Sequence, residues 1–285
     1  MKNIEVGKNS GFCGGVELCS TKLEKILNKY KKVYCVGEVV HNKEVVNYFK
    51  NKGLIVTNSL EEVPNNEKII IRAHGATKEM YDKMREKNLL VFDLTCPKVL
   101  NIRNIIKEHL NSDTYIVLIA NKNHPETIGT ISFCGNNACI IEEEEEIDLM
   151  IDTCNKYKNV LIIGQTTFSL DNFIKYGELI KNKLGSDKNI IIKNTICNTT
   201  KIRQEEIDEM SRVKECMIII GGKNSSNTKK LYEISIKNCP NSFLIENASE
   251  LEINKIKKFN SIGVMAGAST PKASIDEVIN LLKLV

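Results

Sequence analysis

Three cysteines occupy the same kind of position in this sequence. Each follows a short apolar segment that predicts a strand and precedes a segment with helical periodicity. Each is also followed, after the same interval of 28 residues, by a small polar side chain. The three pairs are Cys13 with His41, Cys96 with His124, and Cys197 with Ser225. A junction of strand and helix exposes backbone N–H groups and the positive end of the helix dipole, which suits thiolates and anionic ligands.

This interval predicts three copies of one unit. We place the first unit at 14–96, the second at 97–197 and the third at 198–285. The N-terminal strand, within 1–13, is expected to close the ring by joining the third unit. Because strands alternate with helices in every copy, the predicted fold class is α/β, with small and mainly parallel sheets in three pseudo-symmetric units.

Two further sets of polar residues fall at predicted strand ends. In parallel sheets, ligands bind at the carboxyl ends of the strands. If the units are related by a pseudo-threefold axis, each set forms a ring around one cavity. The first set is His41; His124 with Glu126; and Ser225, Ser226 and Asn227. The second set is His74, Thr167 and Ser269.

Three thiolates from three separate loops suit a metal centre. A cubane iron–sulfur cluster normally has four cysteine ligands, so a site with three leaves one iron open to a substrate oxygen. Structural zinc usually takes four ligands, often from paired CxxC motifs, and this sequence has no such pair. The alternative without a metal is that Cys13, Cys96 and Cys197 are buried structural residues.

The polar rings favour a phosphate ligand. Helix N-termini with Gly-Gly or Ala-Gly turns let backbone N–H groups approach phosphate oxygens, and a handful of charge-assisted hydrogen bonds of about 1.5–3 kcal/mol would hold a diphosphate. Glu126 has no acidic counterpart in the other two units, and beside an open iron it could supply a proton. The alternative is an acid that only stabilises the N-terminus of its helix.

Composition excludes several other classes of function. The net charge is +4 with dispersed Lys and Arg and no Trp, so no nucleic-acid partner is expected. The N-terminus lacks the apolar segment of a signal peptide, and no apolar run approaches the ~18 residues of a membrane span. We therefore expect a cytoplasmic protein without membrane contact. No GxGxxG dinucleotide fingerprint occurs.

Two features of the sequence have simple structural interpretations. The acidic run Glu142 to Glu146 is interpreted as a solvated edge or turn. The seven remaining cysteines are interpreted as small buried apolar residues, because cytosolic thiols stay reduced. They are Cys19, Cys35, Cys134, Cys139, Cys154, Cys216 and Cys239.

The motifs GFCGGV, VVHN, RAHG, DLTCP, NHPE, GQTT, NTIC, SSNT and GASTP resemble those of the LytB/IspH family of 4-hydroxy-3-methylbut-2-enyl diphosphate reductases. The resemblance extends over essentially the whole chain. It implies a trefoil of three α/β units around a central cluster. It also implies an oxidoreductase that converts (E)-4-hydroxy-3-methylbut-2-enyl diphosphate to isopentenyl and dimethylallyl diphosphate, the last step of the methylerythritol phosphate pathway of isoprenoid biosynthesis.

The same resemblance assigns roles to the residues of both rings. Cys13, Cys96 and Cys197 would bind a [4Fe–4S] cluster whose fourth iron stays open for the substrate hydroxyl. Glu126 would donate the proton, while His124 and Thr167 would line the hydroxyl side and orient it. The diphosphate would lie among His41, His74, Ser225, Ser226, Asn227 and Ser269. Electrons would come from a partner such as ferredoxin or flavodoxin.

Three other functions stay open at this stage. A cluster-dependent hydro-lyase would use the open iron without net electron transfer and would turn over without a reductant. A non-enzymatic iron–sulfur sensor would not bind an allylic diphosphate. A zinc protein would be recognised by metal analysis and by the absence of brown colour.

Overall fold

The computed structural model describes residues 2–284. Contacts group the chain into two compact units. Unit 1 comprises Met1–Glu24, Glu38–Lys52 and Asn198–Val285, and unit 2 comprises Lys25–Gly37 and Gly53–Cys197. The three sequence repeats run across this division, and their boundaries stay a prediction.

Within the described residues, the strands are short and assemble into three four-stranded sheets, all of whose pairings are parallel. The strands are β1 Asn3–Val6, β2 Val33–Val36, β3 Leu54–Thr57, β4 Lys68–Ile71, β5 Leu90–Asp93, β6 Thr114–Ile119, β7 Ala138–Ile141, β8 Asn159–Gly164, β9 Asn189–Lys193, β10 Cys216–Ile220, β11 Ser242–Ile245 and β12 Ser261–Ala266. The predicted α/β fold class with small parallel sheets is confirmed.

The strand order is the same in all three sheets. Unit 1 contains the sheet β11-β10-β12-β1, and unit 2 contains the sheets β3-β2-β4-β5 and β7-β6-β8-β9. In each sheet, the strand that leads to a repeated cysteine is therefore an edge strand. For Cys13 this strand is β1, which pairs with β12 from Asn3↔Ser261 to Val6↔Val264 although the two lie at opposite ends of the chain.

Helices connect the strands and cover the sheets. They are α1 Gly14–Tyr30, α2 Lys43–Asn51, α3 Lys78–Glu86, α4 Pro97–His109, α5 Pro125–Ile131, α6 Glu146–Cys154, α7 Leu170–Leu184, α8 Asn198–Val213, α9 Ser226–Asn238, α10 Ile253–Ile256 and α11 Lys272–Lys283. The helices α1, α4 and α8 begin directly after Cys13, Cys96 and Cys197, as the sequence predicts.

Burial explains why the central strands form. All residues of β6 and β10 are buried, and so are all but the first residues of β8 and β12. Such continuous apolar runs, rich in β-branched residues, are typical of parallel strands that are covered on both faces. These strands end in the loops that carry the predicted polar residues, so the best-packed part of each sheet supports them.

Two elements differ from the prediction. The strand expected to run to His41 ends at Val36, because Gly37 turns the chain at a φ of +73°. A Cβ atom at Gly37 would lie 2.6 Å from Nη1 of Arg72, so a larger residue would also have to displace this guanidinium group. The helix α6 was not predicted, since glutamates obscure its start. Among residues 2–284, no helix combines the length and apolar character needed to cross a membrane.

Candidate active site

Each of the three repeated cysteines makes an equivalent backbone hydrogen bond. In each case, the cysteine N–H donates to the carbonyl oxygen of the residue just before a polar position of the second predicted set. The pairs are Cys13 with Ala268 (3.0 Å), Cys96 with Ala73 (2.9 Å) and Cys197 with Thr166 (2.9 Å). The structure therefore fixes each cysteine beside Ser269, His74 or Thr167, and it does so three times with the same connection.

The surroundings of these cysteines differ from those of most other thiols in the chain. Cys13, Cys96 and Cys197 are half-buried at helix starts, and Sγ of Cys13 accepts the N–H of Val16 at 3.5 Å. A helix N-terminus presents backbone N–H groups to a sulfur ligand. In contrast, burial raises the pKa of Cys134, Cys154 and Cys216 to about 12 and that of Cys139 to about 11. The repeated cysteines are thus better suited as metal ligands than these four.

Unit 1 carries polar residues at the N-terminus of α9. Ser225 caps this helix, and its Oγ accepts the N–H of Thr228 at 3.3 Å. Asn227 is only 4% exposed, and its Nδ2 has no hydrogen-bond partner among residues 2–284. A buried amide donor without a partner is costly unless a ligand satisfies it. The helix start of α9 therefore fits an anionic oxygen.

His41 and Ser269 also come together in unit 1. Oγ of Ser269 donates to the carbonyl oxygen of His41 at 3.1 Å, although the two residues are 228 positions apart. Gly222 lies against the same carbonyl group so closely that a Cβ atom there would overlap it. The structure thus brings together one member of each predicted set from two segments of unit 1.

In unit 2, two of the predicted histidines form a pair. The rings of His74 and His124 pack edge to face, with 5.4 Å between their centroids. His124 also caps α5, where its Nδ1 accepts the N–H of Glu126 at 3.1 Å. Because Nδ1 is an acceptor in this bond, the proton of the neutral ring is on Nε2.

Glu126 is a buried carboxyl group that is held at both oxygens. It is 3% exposed; Oε1 accepts the N–H of Thr166 at 2.7 Å, and Oε2 accepts the hydroxyl group of Thr166 at 2.6 Å. Burial raises the pKa of Glu126 above its ordinary value, while the bonds from Thr166 and the charge of Arg103 partly oppose this shift. A raised pKa is what a carboxylic acid needs to donate a proton near neutral pH.

Thr167 is oriented by a residue that the sequence analysis did not assign. Nε2 of Gln165 donates to Oγ1 of Thr167 at 2.8 Å, and Oε1 of Gln165 accepts the N–H of Asn121 at 2.9 Å. Gln165 and Thr166 both lie inside the motif GQTT, of which only Thr167 was given a role. The motif itself was the signal for both residues.

The acidic run contributes to the same region of unit 2. Glu142 accepts the N–H of Lys122 at 2.9 Å and Nδ2 of Asn121 at 3.1 Å, which fixes the turn just before His124. Glu146 accepts the N–H of Glu142 at 2.9 Å and pairs with the Lys122 side chain. The run forms a turn, as the sequence predicts, and Glu143 and Glu145 are exposed. Glu142 and Glu146 are half-buried and, beyond the prediction, accept backbone N–H groups.

Unit 1 repeats this arrangement, which we call the paired-glutamate brace. Glu246 accepts the N–H of Lys223 at 3.1 Å, and Glu250 accepts the N–H of Glu246 at 3.2 Å. The side chain of Lys223 donates to Glu250 at 2.8 Å. Lys223 precedes Ser225 by two residues, as Lys122 precedes His124. The two braces thus hold equivalent turns, each directly before a candidate ligand-binding residue.

The fold and the site together define an α/β protein with three parallel sheets, whose cysteines and polar residues lie at strand ends and helix starts. The family model described as LytB protein matches residues 4–283. The chain therefore belongs to the LytB family.

Two curated relatives and one solved structure illustrate this similarity. The 4-hydroxy-3-methylbut-2-enyl diphosphate reductase of Clostridioides difficile (strain 630) is 36% identical over 283 residues, which cover 99% of each chain. That of Caldanaerobacter subterraneus subsp. tengcongensis is 37% identical over 284 residues, covering 98% of this chain and 96% of the relative. The E-1-hydroxy-2-methyl-but-2-enyl-4-diphosphate reductase of Plasmodium falciparum is 28% identical, with a TM-score of 0.91 over 99% of this chain and 88% of that chain.

Proposed function

We propose that this chain is an oxidoreductase that converts (E)-4-hydroxy-3-methylbut-2-enyl diphosphate to isopentenyl and dimethylallyl diphosphate. The reaction takes up two electrons and two protons, the allylic C–O bond breaks, and the hydroxyl group leaves as water. Membership of the LytB family and the names of the full-length relatives support this reaction. It would be the last step of the methylerythritol phosphate pathway.

The observation that carries the proposal is the double role of Thr166. Its N–H and hydroxyl groups hold the carboxyl group of Glu126, while its carbonyl oxygen accepts the N–H of Cys197. One residue thus links the candidate proton donor to a candidate cluster ligand. This link favours a reaction that couples proton transfer to redox chemistry over a role for Glu126 in helix stability alone.

Cys13, Cys96 and Cys197 would bind a [4Fe–4S] cluster and leave one iron open. The half-buried positions of these thiols, their helix starts and their shared backbone bond fit thiolate ligands. When bound, such a cluster supplies electrons and a Lewis-acidic iron. The electrons would come from ferredoxin or flavodoxin. Ten free cysteines fit the reducing cytoplasm that we expect for this protein.

The diphosphate would be bound by neutral donors and by helix dipoles. In unit 1, the candidates are the unsatisfied amide of Asn227, the start of α9 with Ser225 and Ser226, and the pair of Ser269 and His41. By the resemblance to the family, His74 would add a further donor. Helix N-termini suit phosphate oxygens because their backbone N–H groups and dipoles favour negative charge.

Glu126 would supply the proton that leaves with the substrate hydroxyl group. Burial raises its pKa and so favours the protonated form that a general acid needs. His124 would orient the hydroxyl group with its Nε2–H, because Nδ1 is already engaged by the N–H of Glu126. Thr167, held by Gln165, would complete this polar side of the site.

An anaerobic assay with the substrate and dithionite-reduced methyl viologen tests the proposal. We expect two electron equivalents of dye to be oxidised per substrate, with isopentenyl and dimethylallyl diphosphate as products. Turnover without reductant would indicate a hydro-lyase, and failure of the iron-loaded protein to bind the diphosphate would indicate a sensor. Zinc in place of iron after anaerobic purification would contradict the proposed cofactor.

A further inference from the structure

Arg103 lies two helical turns after Cys96, and its guanidinium group is half-buried in unit 2. Nη2 donates to the carbonyl oxygen of Ala76 at 2.9 Å, and Nη1 donates to the hydroxyl oxygen of Tyr81 at 2.9 Å. The guanidinium carbon lies 4.5 Å from the ring centroid of Phe133, over the face of the ring. No sequence motif singles out this arginine, and the proposed reaction does not use it directly.

Nη2 of Arg103 holds the turn that follows His74. Ala76 is two residues beyond His74, and Gly75 between them has a φ of +84°. A Cβ atom at Gly75 would overlap Nη2 of Arg103, so the turn and the guanidinium group are packed directly against each other. The position of His74 therefore depends on where Arg103 holds Ala76.

Nη1 of Arg103 is connected through Tyr81 and Asp93 to the residue before Cys96, at the start of the same helix. The hydroxyl group of Tyr81 donates to Oδ2 of Asp93 at 2.8 Å. Oδ1 of Asp93 accepts the N–H of Thr95 at 2.9 Å and the hydroxyl group of Thr95 at 2.5 Å. Thr95 directly precedes Cys96, so this chain of hydrogen bonds fixes the backbone of the candidate ligand from outside the helix.

The aromatic contact reaches the helix that carries Glu126. Phe133 lies just beyond the end of α5. Gly129 within α5 packs beside the same contact, since an ideal Cβ atom on it would lie 3.4 Å from the carbonyl oxygen of Ala76 and 3.6 Å from Nη2 of Arg103. The positive charge of Arg103 also lowers the pKa of Glu126, against the larger effect of burial. Arg103 thus contacts the segments after His74 and Glu126 and the network next to Cys96.

We propose that Arg103 is a positioning residue that fixes the His74 turn, the Cys96 helix start and the Glu126 helix relative to one another. This proposal deepens the proposed function and rests on it for the roles of those three residues. A guanidinium group suits the task because its planar donors bond two oxygens in fixed directions while its face stacks on an aromatic ring. A lysine keeps the charge but cannot make the bonds to Ala76 and Tyr81 at the same time in these directions.

The test compares Arg103→Met and Arg103→Lys in the iron-loaded protein by hydrogen–deuterium exchange. Arg103→Met should raise exchange about tenfold in the peptides that cover 73–78 and 126–133, because the bond to Ala76 and the stacking on Phe133 are lost. The matched control is Arg85→Met, since Arg85 is exposed and pairs only locally with Asp82. Unchanged exchange in both peptides of Arg103→Met would overturn the proposal.

A milder variant keeps the proposal testable if Arg103→Met fails to fold. Tyr81→Phe removes only the hydroxyl group between Arg103 and Asp93. It should raise exchange in the peptide that covers 94–97 and leave 126–133 as in the wild type. Equal exchange at 94–97 in Tyr81→Phe and wild type would contradict the link between Arg103 and Cys96.

The pH profile of kcat separates positioning from general structural support. The charge that acts on the Glu126 carboxyl group from another element is that of Arg103 of α4, and the ring of His124 at the start of α5 accepts the N–H of Glu126. Without the charge of Arg103, the carboxyl group of Glu126 loses its proton at higher pH. The fall of kcat on the high-pH side should therefore shift to higher pH in Arg103→Met. Arg103→Lys should keep the wild-type limb with a lower kcat. A limb that does not move in Arg103→Met would remove Arg103 from the environment of Glu126.

The two proposals fail in different ways. If the wild-type protein does not reduce the diphosphate, the proposed function is wrong, and the exchange data still decide whether Arg103 organises the three segments. If the wild type is active and Arg103→Met matches Arg85→Met in both exchange and kcat, the positioning role is wrong.

Discussion

Glu126 combines burial, a raised pKa and two hydrogen bonds from one residue. Replacement by Gln keeps the shape and an acceptor for the N–H of Thr166, but it removes the acidic proton. We expect Glu126→Gln to retain ligand binding and to lose about 10²–10⁴-fold in kcat, the usual range for a general acid. Anaerobic kinetics and calorimetric binding measure the two quantities. The exposed Glu145→Gln is the control, and an unchanged kcat in Glu126→Gln would exclude it as the proton donor.

The sorting of the cysteines gives a second prediction for single residues. Cys197→Ala should prevent assembly of the intact cluster, because a proposed ligand is lost. Cys216→Ala should retain wild-type iron and sulfide, since Cys216 is fully buried in β10 and its pKa of about 12 keeps it a thiol. It should lose only about 1 kcal/mol of stability, as expected for a small cavity. Equal iron content in the two variants would show that the sorting is wrong.

The sequence could predict the positions of these residues but not their partners. The apolar runs place Glu126 after one strand and Thr167 after another, and parallel strands end at the same edge of a sheet, so the sequence predicts that the two lie close together. The bond of Glu126 to Thr166 joins residues that are 40 positions apart, and no local pattern encodes it. Arg103 was missed for the same reason, since its role depends on three segments that meet only after folding.

At the scale of elements, the paired-glutamate brace shows why an acidic run can be structural. Glu142 accepts a backbone N–H of the turn before His124, and Glu246 does the same before Ser225. Glu146 and Glu250 accept the N–H groups of Glu142 and Glu246 and so hold these two glutamates in place. Charge and composition alone predict a solvated edge or turn, because they cannot distinguish a carboxylate in water from one that accepts backbone N–H groups. The repeat of spacing between the two glutamate pairs was the signal that sequence reasoning did not use.

A pair of crossed variants tests the brace. Glu142→Ala should speed amide exchange at Lys122 about fivefold to tenfold, because a charge-assisted bond to that N–H is lost, and should leave Lys223 unchanged. Glu246→Ala should do the reverse. Exchange measured by NMR or mass spectrometry in both variants makes each the control for the other. If neither turn responds to the loss of its own glutamate, the brace does not hold the turns.

For the molecule as a whole, the sequence repeat predicted the parallel sheets better than it predicted the residues at which individual strands end. All three sheets have the expected parallel strands, and β1 lies beside β12. The early end of β2 depends on Gly37 and its packing against Arg72, which is a tertiary contact. The positions of the cysteines and polar residues were predictable because the same pattern recurs at strand ends. Features that occur once, such as Arg103, were not.

The buried Glu126 should also affect the stability of the entire chain. Its pKa is raised above the ordinary value of 4.5, so the folded protein binds this proton more tightly than the unfolded chain does. Stability contributed by the protonated group is therefore present below about pH 4.5 and is lost as the pH rises toward the raised folded pKa.

Glu126→Gln removes this single titration and leaves all others in place. The melting temperature of Glu126→Gln minus that of the wild type should become more positive as the pH is raised from about 5 to about 8, because the wild type loses the stability of its protonated carboxyl group over a range above 4.5. Anaerobic calorimetry of both iron-loaded proteins measures the difference, with Glu145→Gln as a control that should show no trend. A constant difference across this range would mean that the folded environment does not favour the protonated form of Glu126, and the proton donor would have to be sought elsewhere.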